Sequence, residues 1–131
     1  MSSATRKPRV TVTFSRQEMD DNDGDTSWLT QDYADVADPE ERQRYKDQDA
    51  ARLKAYRAGD WHFIGIRAKA LIRVDRYSGK TLNYTVFHEM TSPGLWGIES
   101  DSGADYLEEV YKEECAMLRA DIVAMKDAEF K

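Results

Sequence analysis

The sequence predicts an α+β fold, an antiparallel sheet of three or four strands packed by two main helices. One observation is the alternation of apolar and charged residues from Ile64 to Val74, which is the pattern of a strand with one buried face. The other is the helical spacing of apolar residues from Leu107 to Met125. Because 131 residues can bury a core without disulfides, we expect a single domain covering residues 1–131.

The N-terminal part predicts a basic arm, a short strand and an acidic loop. Residues at about 1–8 carry Arg6 and Lys7 and show no periodicity, so we expect a flexible basic arm. Val10, Val12 and Phe14 then alternate with polar residues, as in a short half-buried strand. The segment at about 17–27 is acidic and rich in turn formers, which predicts a loop.

The first main helix has both a start signal and a stop signal. Asp38 is a residue type that caps helix N-termini, and Pro39 suits the first helical position. The two glutamates that follow favour the positive end of the helix dipole. Gly59 suits the residue just after a helix, so we expect the helix to run from Pro39 to about Ala58.

A long hairpin is predicted in the middle of the chain. WHFIGIRAKALIRVDRY at 61–77 is the long strand, Ser78-Gly79-Lys80 is the turn, and TLNYTVFHEM at 81–90 is the returning strand. A turn centred there pairs residues whose numbers sum to about 157, which places His88 near Lys69.

The C-terminal part predicts one more short strand and the second main helix. Pro93 and Gly94 end the hairpin, and LWGIE at 95–99 follows as a strand. Asp101 or Ser102 is expected to cap the helix that begins near Ala104, because both are good N-cap residues.

Charge is distributed unevenly along the chain. The formal net charge is −6, and ten acids between Glu18 and Glu41 are followed by a mainly basic segment from Arg52 to Lys80. Acids dominate again from Glu99 onward, so we expect faces of opposite sign. Excess negative charge disfavours indiscriminate nucleic-acid binding and favours basic partners.

Nothing in the sequence predicts a membrane partner. No apolar run approaches the roughly 18 residues that a membrane span needs. The start, MSSATRKPRV, lacks the apolar core of a signal peptide. We therefore expect a cytoplasmic protein.

The residue types that carry catalysis do not form a recognisable set. His62 and His88 fall in different predicted strands, and Cys115 follows Glu113 and Glu114, which disfavour its thiolate. The many paired acids belong to charge runs, which are typical of a hydrated face. We therefore assign no catalytic residues and no cofactor, and we predict that the protein is not an enzyme.

The run DDNDGD at 20–25 resembles part of a calcium-binding loop. With Gly24 at the sixth loop position, Met19 falls at the first ligand position and Thr30 at the twelfth, where such loops carry carboxylates. We therefore predict no metal site and interpret the run as a solvated turn, while weak association of a divalent ion stays open.

Two charged surfaces are candidate binding sites. The C-terminal helix carries an acidic face that suits a basic groove, formed by Asp105, Glu108, Glu109, Glu113, Glu114 and Asp121. The long strand carries Arg67, Lys69 and Arg73 on one face, with Trp61, Phe63 and Tyr77 on the same parity, which suits phosphates and stacked bases. In the alternative interpretation, a helix covers this basic face and its acids meet the bases.

The joint between the last strand and the last helix resembles a known one. GLWGIESDSG at 94–103, followed by YLEEVYKEEC at 106–115, resembles small proteins of uncertain function from tailed phages and prophages. In those proteins a sheet ending in LWGIES leads into a C-terminal helix. The resemblance covers Leu71 to Leu118 and brings no catalytic residues with it. It implies a phage or mobile-element accessory protein.

Three functions remain open from the sequence. The first is stoichiometric binding of a host protein or ribonucleoprotein complex, with anti-CRISPR or anti-restriction inhibition of host defence through the acidic face, in the host cytoplasm. The second is a nucleic-acid binding module that uses Arg67, Lys69 and Arg73. The third is a homo-oligomeric virion or assembly protein.

Overall fold

The computed structural model describes residues 7–124 and 128–130 of the chain. It has the predicted α+β fold, with an antiparallel sheet of four strands and two main helices, α1 (Pro39–Arg57) and α2 (Ala104–Val123). A 3-10 helix, Ser27–Thr30, lies between the first strand and α1. The proposed basic arm falls mostly on residues 1–6, which are outside the described part of the chain.

The four main strands were all predicted, and a fifth was not. They are β1 (Arg9–Asp20), β2 (Phe63–Ser78), β3 (Thr81–Thr91) and β4 (Leu95–Glu99), and the fifth is β5 (Ala128–Phe130). The sheet order is β3-β2-β1-β5, and β4 also pairs with β2. Whereas β2 and β3 run antiparallel, β5 adds to β1 in parallel, with Val10 opposite Ala128.

Strand β1 is longer than its side chains predict. The apolar alternation ends at Phe14, but the strand continues to Asp20. The backbone N–H of Asp21 donates a 2.9 Å hydrogen bond to the carbonyl of Phe63, at the start of β2. Backbone pairing therefore extends the strand through polar residues, and the acidic loop begins at Asp21 rather than at about residue 17.

The predicted hairpin register is wrong by about three residues. His88 lies opposite Ile72, and Lys69 lies opposite Thr91. Ser78 pairs with Thr81, so the turn consists of the two residues Gly79 and Lys80 rather than of three. A register shift between Arg76 and Tyr77 then moves the pairing of the two strands by one further residue. Gly79 has φ +61°, as this kind of tight turn requires.

Helix α1 begins and ends as predicted. The side chain of Asp38 accepts a hydrogen bond from the backbone N–H of Glu40, and Pro39 is the first helical residue. Ala58 is the C-cap, and Gly59 follows with φ +82°, a conformation that favours glycine.

Helix α2 begins at the predicted residue, but the predicted cap is wrong. Gly103 is the N-cap, and it supplies no side-chain hydrogen bond. Ser102 Oγ instead donates to the carbonyl of Glu99, and the carboxylate of Asp101 binds Arg52. Both side chains are engaged elsewhere, so neither caps the helix.

The described residues divide into two compact units. The first consists of the described parts of 1–18, 66–95 and 103–131, and its core packs α2 against β1 and β2. The core residues are Val10, Val12, Ala68, Ala70, Ile72, Leu118 and Ile122. Within this unit Ala68, Ala70 and Ile72 of β2 pack against α2, as the alternation predicted.

The second unit consists of residues 19–65 and 96–102. Its core is the cluster of Leu29, Trp61 and Phe63, against which Leu53 and Tyr56 of α1 pack. Trp61 and Phe63 meet edge to face, with their ring centroids 5.1 Å apart. Helix α1 has no buried residue of its own, so these few side chains hold a helix that is otherwise polar.

Candidate binding surfaces

The acidic face of α2 is a narrower feature than the sequence indicated. Asp105, Glu109 and Glu113 follow one another at four-residue intervals, and all three are exposed. Since four residues make slightly more than one helical turn, they lie on one side of α2, separated by a rise of about 6 Å per step. We call these three residues the acidic stripe. Glu108 is also exposed, beside the stripe.

Glu114 does not belong to the surface of α2. Only 4% of it is exposed, and its Oε1 accepts hydrogen bonds from Ser92 Oγ at 2.8 Å and from the Gly94 backbone N–H at 2.6 Å. Glu114 therefore holds the corner after β3 and cannot meet a partner. The assignment of Glu114 to the acidic face is corrected on this ground.

Asp121 is exposed but stands apart from the acidic stripe. Around the helix it lies about 60° from Leu118 and 100° from Ile122, both fully buried, and to one side of both. It is therefore at the margin of the inward face of α2, away from Glu109 and Glu113.

The basic face of β2 lies on the side of the sheet that α2 does not cover. Ala68, Ala70 and Ile72 pack against α2, and Arg67, Lys69 and Arg73 alternate with them. Alternating residues of a strand point to opposite faces. The acids of α2 therefore do not meet these bases, and the first unit has an acidic helix surface and a basic sheet surface on opposite sides.

The three cations of the basic face are engaged within the sheet. Each bonds to a side chain on the same face, which fixes its position and reduces the charge available to a ligand. The contacts are Arg67 Nε to Gln17 Oε1 at 2.8 Å, Lys69 Nζ to Glu89 Oε1 at 3.0 Å, and Arg73 Nε to Asp75 Oδ1 at 2.9 Å.

Asp75 is the acid buried within this basic face. Its carboxylate accepts a 2.7 Å hydrogen bond from Thr85 Oγ1 as well as the bond from Arg73. The Thr85 bond and then the Arg73 bond lower the pKa of Asp75 from its ordinary value. Asp75 is therefore charged at neutral pH, and it orients Arg73.

Two of the three aromatic residues predicted to accompany the basic face are not available there, and the third, Tyr77, is half-buried near the end of β2. Trp61 and Phe63 are buried in the core of the second unit. The aromatic residue that lies beside the cations is Phe87, which is 58% exposed and stands directly opposite Arg73 in the hairpin. Sequence reasoning missed Phe87 because the predicted register was wrong.

The acidic turn uses its carboxylates to hold the backbone. Asp21 accepts hydrogen bonds from the backbone N–H groups of Asp23 and Gly97, at 3.0 and 2.8 Å. Asp25 accepts from the backbone N–H and from the hydroxyl of Ser27, and these bonds lower the pKa of Asp25. Among the described residues, no group of three or more His, Cys, Asp or Glu side chains is placed to hold a metal ion.

Gly24 has a packing role in this turn. A Cβ built on Gly24 would lie 2.0 Å from Cδ2 of Phe63, a buried ring. Glycine is therefore required for the close approach of the turn to the core, which accounts for the glycine of DDNDGD.

The corner from Glu99 to Asp101 is tied to α1 by Arg52. The guanidinium donates to Oε1 of Glu99 at 2.9 and 2.7 Å, and to both carboxylate oxygens of Asp101 at 2.7 and 2.6 Å. It also lies 4.0 Å from the ring centroid of Trp61. The Arg52 hydrogen bond lowers the pKa of Asp101. These contacts give Glu99 and Asp101 of the segment SPGLWGIESDSG at 92–103 a structural role.

Cys115 and Tyr111 form a small polar pair on α2. Cys115 is a free thiol and is half-buried. Burial and, second, the hydrogen bond with Cys115 raise the pKa of Tyr111 to about 12, so Tyr111 keeps its proton at neutral pH. The sequence interpretation of Cys115 as a half-buried helix residue is confirmed.

Comparison with protein-family models, with curated proteins and with solved structures found no match. The resemblance to phage and prophage proteins therefore stays a prediction. No helix within residues 7–124 is both long and apolar enough to cross a membrane.

Proposed function

We propose that the protein acts by stoichiometric binding and that the acidic stripe of α2 is its contact surface for a basic partner. The observation that carries this proposal is the division of α2 into two faces. Leu107, Val110, Leu118 and Ile122 are buried on one face, while Asp105, Glu109 and Glu113 are exposed on the other. A helix anchored in this way presents its carboxylates at a fixed spacing, so binding orders little backbone.

Electrostatics supports a basic partner. The chain has a net charge of −6, which attracts cationic surfaces over a range of about one Debye length. Exposed carboxylates mainly accelerate association and select the partner, while affinity needs further contacts. Tyr106 and Met117, both more than two fifths exposed on α2, supply apolar area beside the charged residues.

The finer proposal is that the partner belongs to a host defence system. A phage or mobile-element accessory protein in the host cytoplasm would inhibit a CRISPR or restriction complex by occupying the basic site where that complex binds nucleic acid. Two observations support this version. One is the LWGIES joint that resembles phage proteins, and the other is a stripe of carboxylates that can substitute for phosphates.

Affinity capture with matched variants tests the binding proposal. Glu109→Lys with Glu113→Lys reverses two charges of the stripe. Asp35→Lys with Asp47→Lys makes the same change in net charge at exposed residues outside α2. We expect the wild-type protein and the second variant to capture the same partner, in a fixed molar ratio and more weakly as salt rises, and we expect the stripe variant to lose it. If the stripe variant captures everything that the wild-type protein captures, the proposal is wrong.

Plasmid interference tests the defence version separately. Cells with an active CRISPR or restriction system reject a targeted plasmid, and expression of an inhibitor restores transformation. We expect the wild-type protein and the Asp35/Asp47 variant to restore it, and the stripe variant to fail. If the capture experiment succeeds while transformation is unchanged in every such host, the stripe binds a partner of another kind.

Nucleic-acid binding is the second candidate, and one observation favours it. Phe87 stands exposed opposite Arg73, with Lys69 on the same face, and an aromatic ring beside cations can stack a base. Fluorescence anisotropy at low salt with a labelled single-stranded oligonucleotide tests it. We expect Phe87→Ala and Arg73→Ala each to weaken binding about 10-fold, since stacking on one aromatic contributes about 1–3 kcal/mol. The absence of binding by the wild-type protein would remove this candidate.

A further inference from the structure

Strand β3 exposes apolar side chains on both faces of the sheet. Tyr84 and Val86 are 51% and 36% exposed and share one face, whereas Phe87 is on the other. Leu82 is 45% exposed and lies beyond the register shift, opposite Tyr77. Helix α2 packs on β1 and β2, so it leaves these β3 residues uncovered. No residue of β3 is fully buried. A strand of this composition is usually found inside a sheet.

From Tyr84 to Thr91 the outer edge of β3 lacks the features that normally protect an edge strand, and the pairing irregularity at Asn83 lies near the hairpin turn. It is the terminal strand of the order β3-β2-β1-β5, so the backbone groups on one side have no partner strand among the described residues. From Thr81 to Thr91 there is no Lys, Arg or Pro, and the one carboxylate, Glu89, is bound to Lys69. Natural proteins place charges, prolines or bulges on free edges to prevent pairing with other chains.

We propose that β3 pairs antiparallel with β3 of a second copy of this chain, with Val86 opposite Val86. Val86 is the middle residue of Thr81–Thr91, so this register centres the two strands on each other. It pairs residues 84–88 of both copies, clear of the irregularity at Asn83. The paired residue numbers then sum to an even value, which keeps the even-numbered residues of both copies on one face. Tyr84 meets His88, and the two Val86 side chains meet each other.

Charge favours a second copy in this register. The chain carries a net charge of −6, so two copies repel each other wherever their acidic surfaces meet. Strand β3 holds only one acid, and the register places Glu89 opposite Asn83 rather than opposite the other Glu89. The edge of β3 is therefore a place where two acidic chains can meet without opposing carboxylates.

The pairing has a consequence for binding that rests on the proposed function. The two-fold axis is perpendicular to the joined sheet, so both α2 helices lie on the same side of it. The dimer then presents two acidic stripes to one partner surface, and binding of the second stripe becomes intramolecular.

Light scattering after size-exclusion chromatography, together with charge exchange at Val86, tests the pairing. We expect the wild-type protein to have twice the chain mass of 15.1 kDa. Val86→Lys and Val86→Glu each place like charges opposite each other, so each variant alone should be monomeric. Mixed in equal amounts they should form a heterodimer, because a Lys then faces a Glu. A variant that had merely misfolded would not recover on mixing.

Met117→Lys is the matched control. Met117 is an exposed apolar residue of α2, away from β3, and this variant should remain a dimer. Circular dichroism should be the same for all four proteins. A monomeric wild-type protein at every soluble concentration overturns the proposal, and so does a dimer that both Val86 variants leave intact. Failure of the mixed variants to associate overturns the register.

Discussion

Ser92 Oγ donates a 2.8 Å hydrogen bond to the buried carboxylate of Glu114. The same hydroxyl accepts from the backbone N–H of Ala68 at 2.9 Å, so one serine connects β2, the corner after β3 and the middle of α2. Glu113, the preceding residue, is exposed on the acidic stripe. Two adjacent glutamates therefore have different roles, one in the fold and one on the surface.

We predict that Glu114→Ala lowers the free energy of unfolding by about 2–4 kcal/mol. The substitution leaves the Ser92 hydroxyl and the Gly94 N–H without their acceptor in a site that excludes water, and bonds to charged groups contribute about 1.5–3 kcal/mol each. Urea denaturation followed by circular dichroism measures the loss. Glu113→Ala, the neighbouring control, should change stability by about 0.5 kcal/mol or less. Equal losses in the two variants would contradict the buried role of Glu114.

Arg52→Lys is expected to destabilise the second unit by about 1–2 kcal/mol. A lysine cannot make the planar set of bonds to Glu99 and Asp101, nor stack on Trp61 in the same way. Thermal unfolding monitored by tryptophan fluorescence reports the change. Arg44→Lys is the control on the same helix, because the 3.8 Å contact of Arg44 with Glu41 is exposed and contributes about 0–1 kcal/mol. An Arg52→Lys protein as stable as the control would show that the bonds to Glu99 and Asp101 add nothing.

The loss of folding stability as pH falls should depend on Arg52. The pKa of Asp101 is lowered in the folded state, so its contribution is present above the unfolded pKa of about 3.9 and is lost as pH falls through the folded pKa. In Arg52→Gln that contribution is absent at every pH. We therefore expect the difference in stability between wild-type and Arg52→Gln to be larger at pH 7 than below about pH 4. Urea titrations at several pH values test this, and a constant difference would contradict the assignment.

Gly24→Ala is expected to lower the free energy of unfolding by about 1–3 kcal/mol, the usual range when an extra group is forced into a packed core. The Phe63 ring cannot retreat from a new Cβ, since Tyr56 and Trp61 lie 5.7 and 5.1 Å from it between ring centroids. Gly103→Ala should lower stability less, because the new Cβ meets no atom within 4 Å.

Differential scanning fluorimetry with and without calcium tests the turn for ion binding. Millimolar calcium should leave the wild-type midpoint unchanged, and a clear rise would show that the turn binds the ion.

The strands and helices were predictable where burial follows a regular period. In β2, buried residues alternate with residues of the opposite face because α2 covers one side of the strand, as at Ala68, Ala70 and Ile72. This alternation is visible in the sequence. The register of the hairpin was not predictable to the residue, because it depends on a two-residue turn at Gly79 and an irregularity at Tyr77. Phe87 was missed as a result.

The surface residues were only partly predictable. The sequence assigned Glu114 to the acidic face together with its acidic neighbours. Its position four residues after Val110 and four before Leu118 was the available signal, because helical spacing alone places it on the buried face. The hydrogen bonds between Arg52 and Asp101 had no such signal in the sequence, since 49 residues separate the two in the chain. A long-range bond of this kind takes up a side chain that would otherwise cap the nearby helix, and no sequence pattern indicates it.

The most direct test of the account compares the two adjacent glutamates in binding and stability together. Glu113→Gln and Glu114→Gln are measured by titration calorimetry against the captured partner and by urea denaturation. We predict that Glu113→Gln weakens binding with unchanged stability, while Glu114→Gln loses stability and, under conditions where it stays folded, binds like the wild-type protein. Unchanged binding by Glu113→Gln, or a folded Glu114→Gln protein that loses the partner, would contradict the assignment of the stripe as the contact surface.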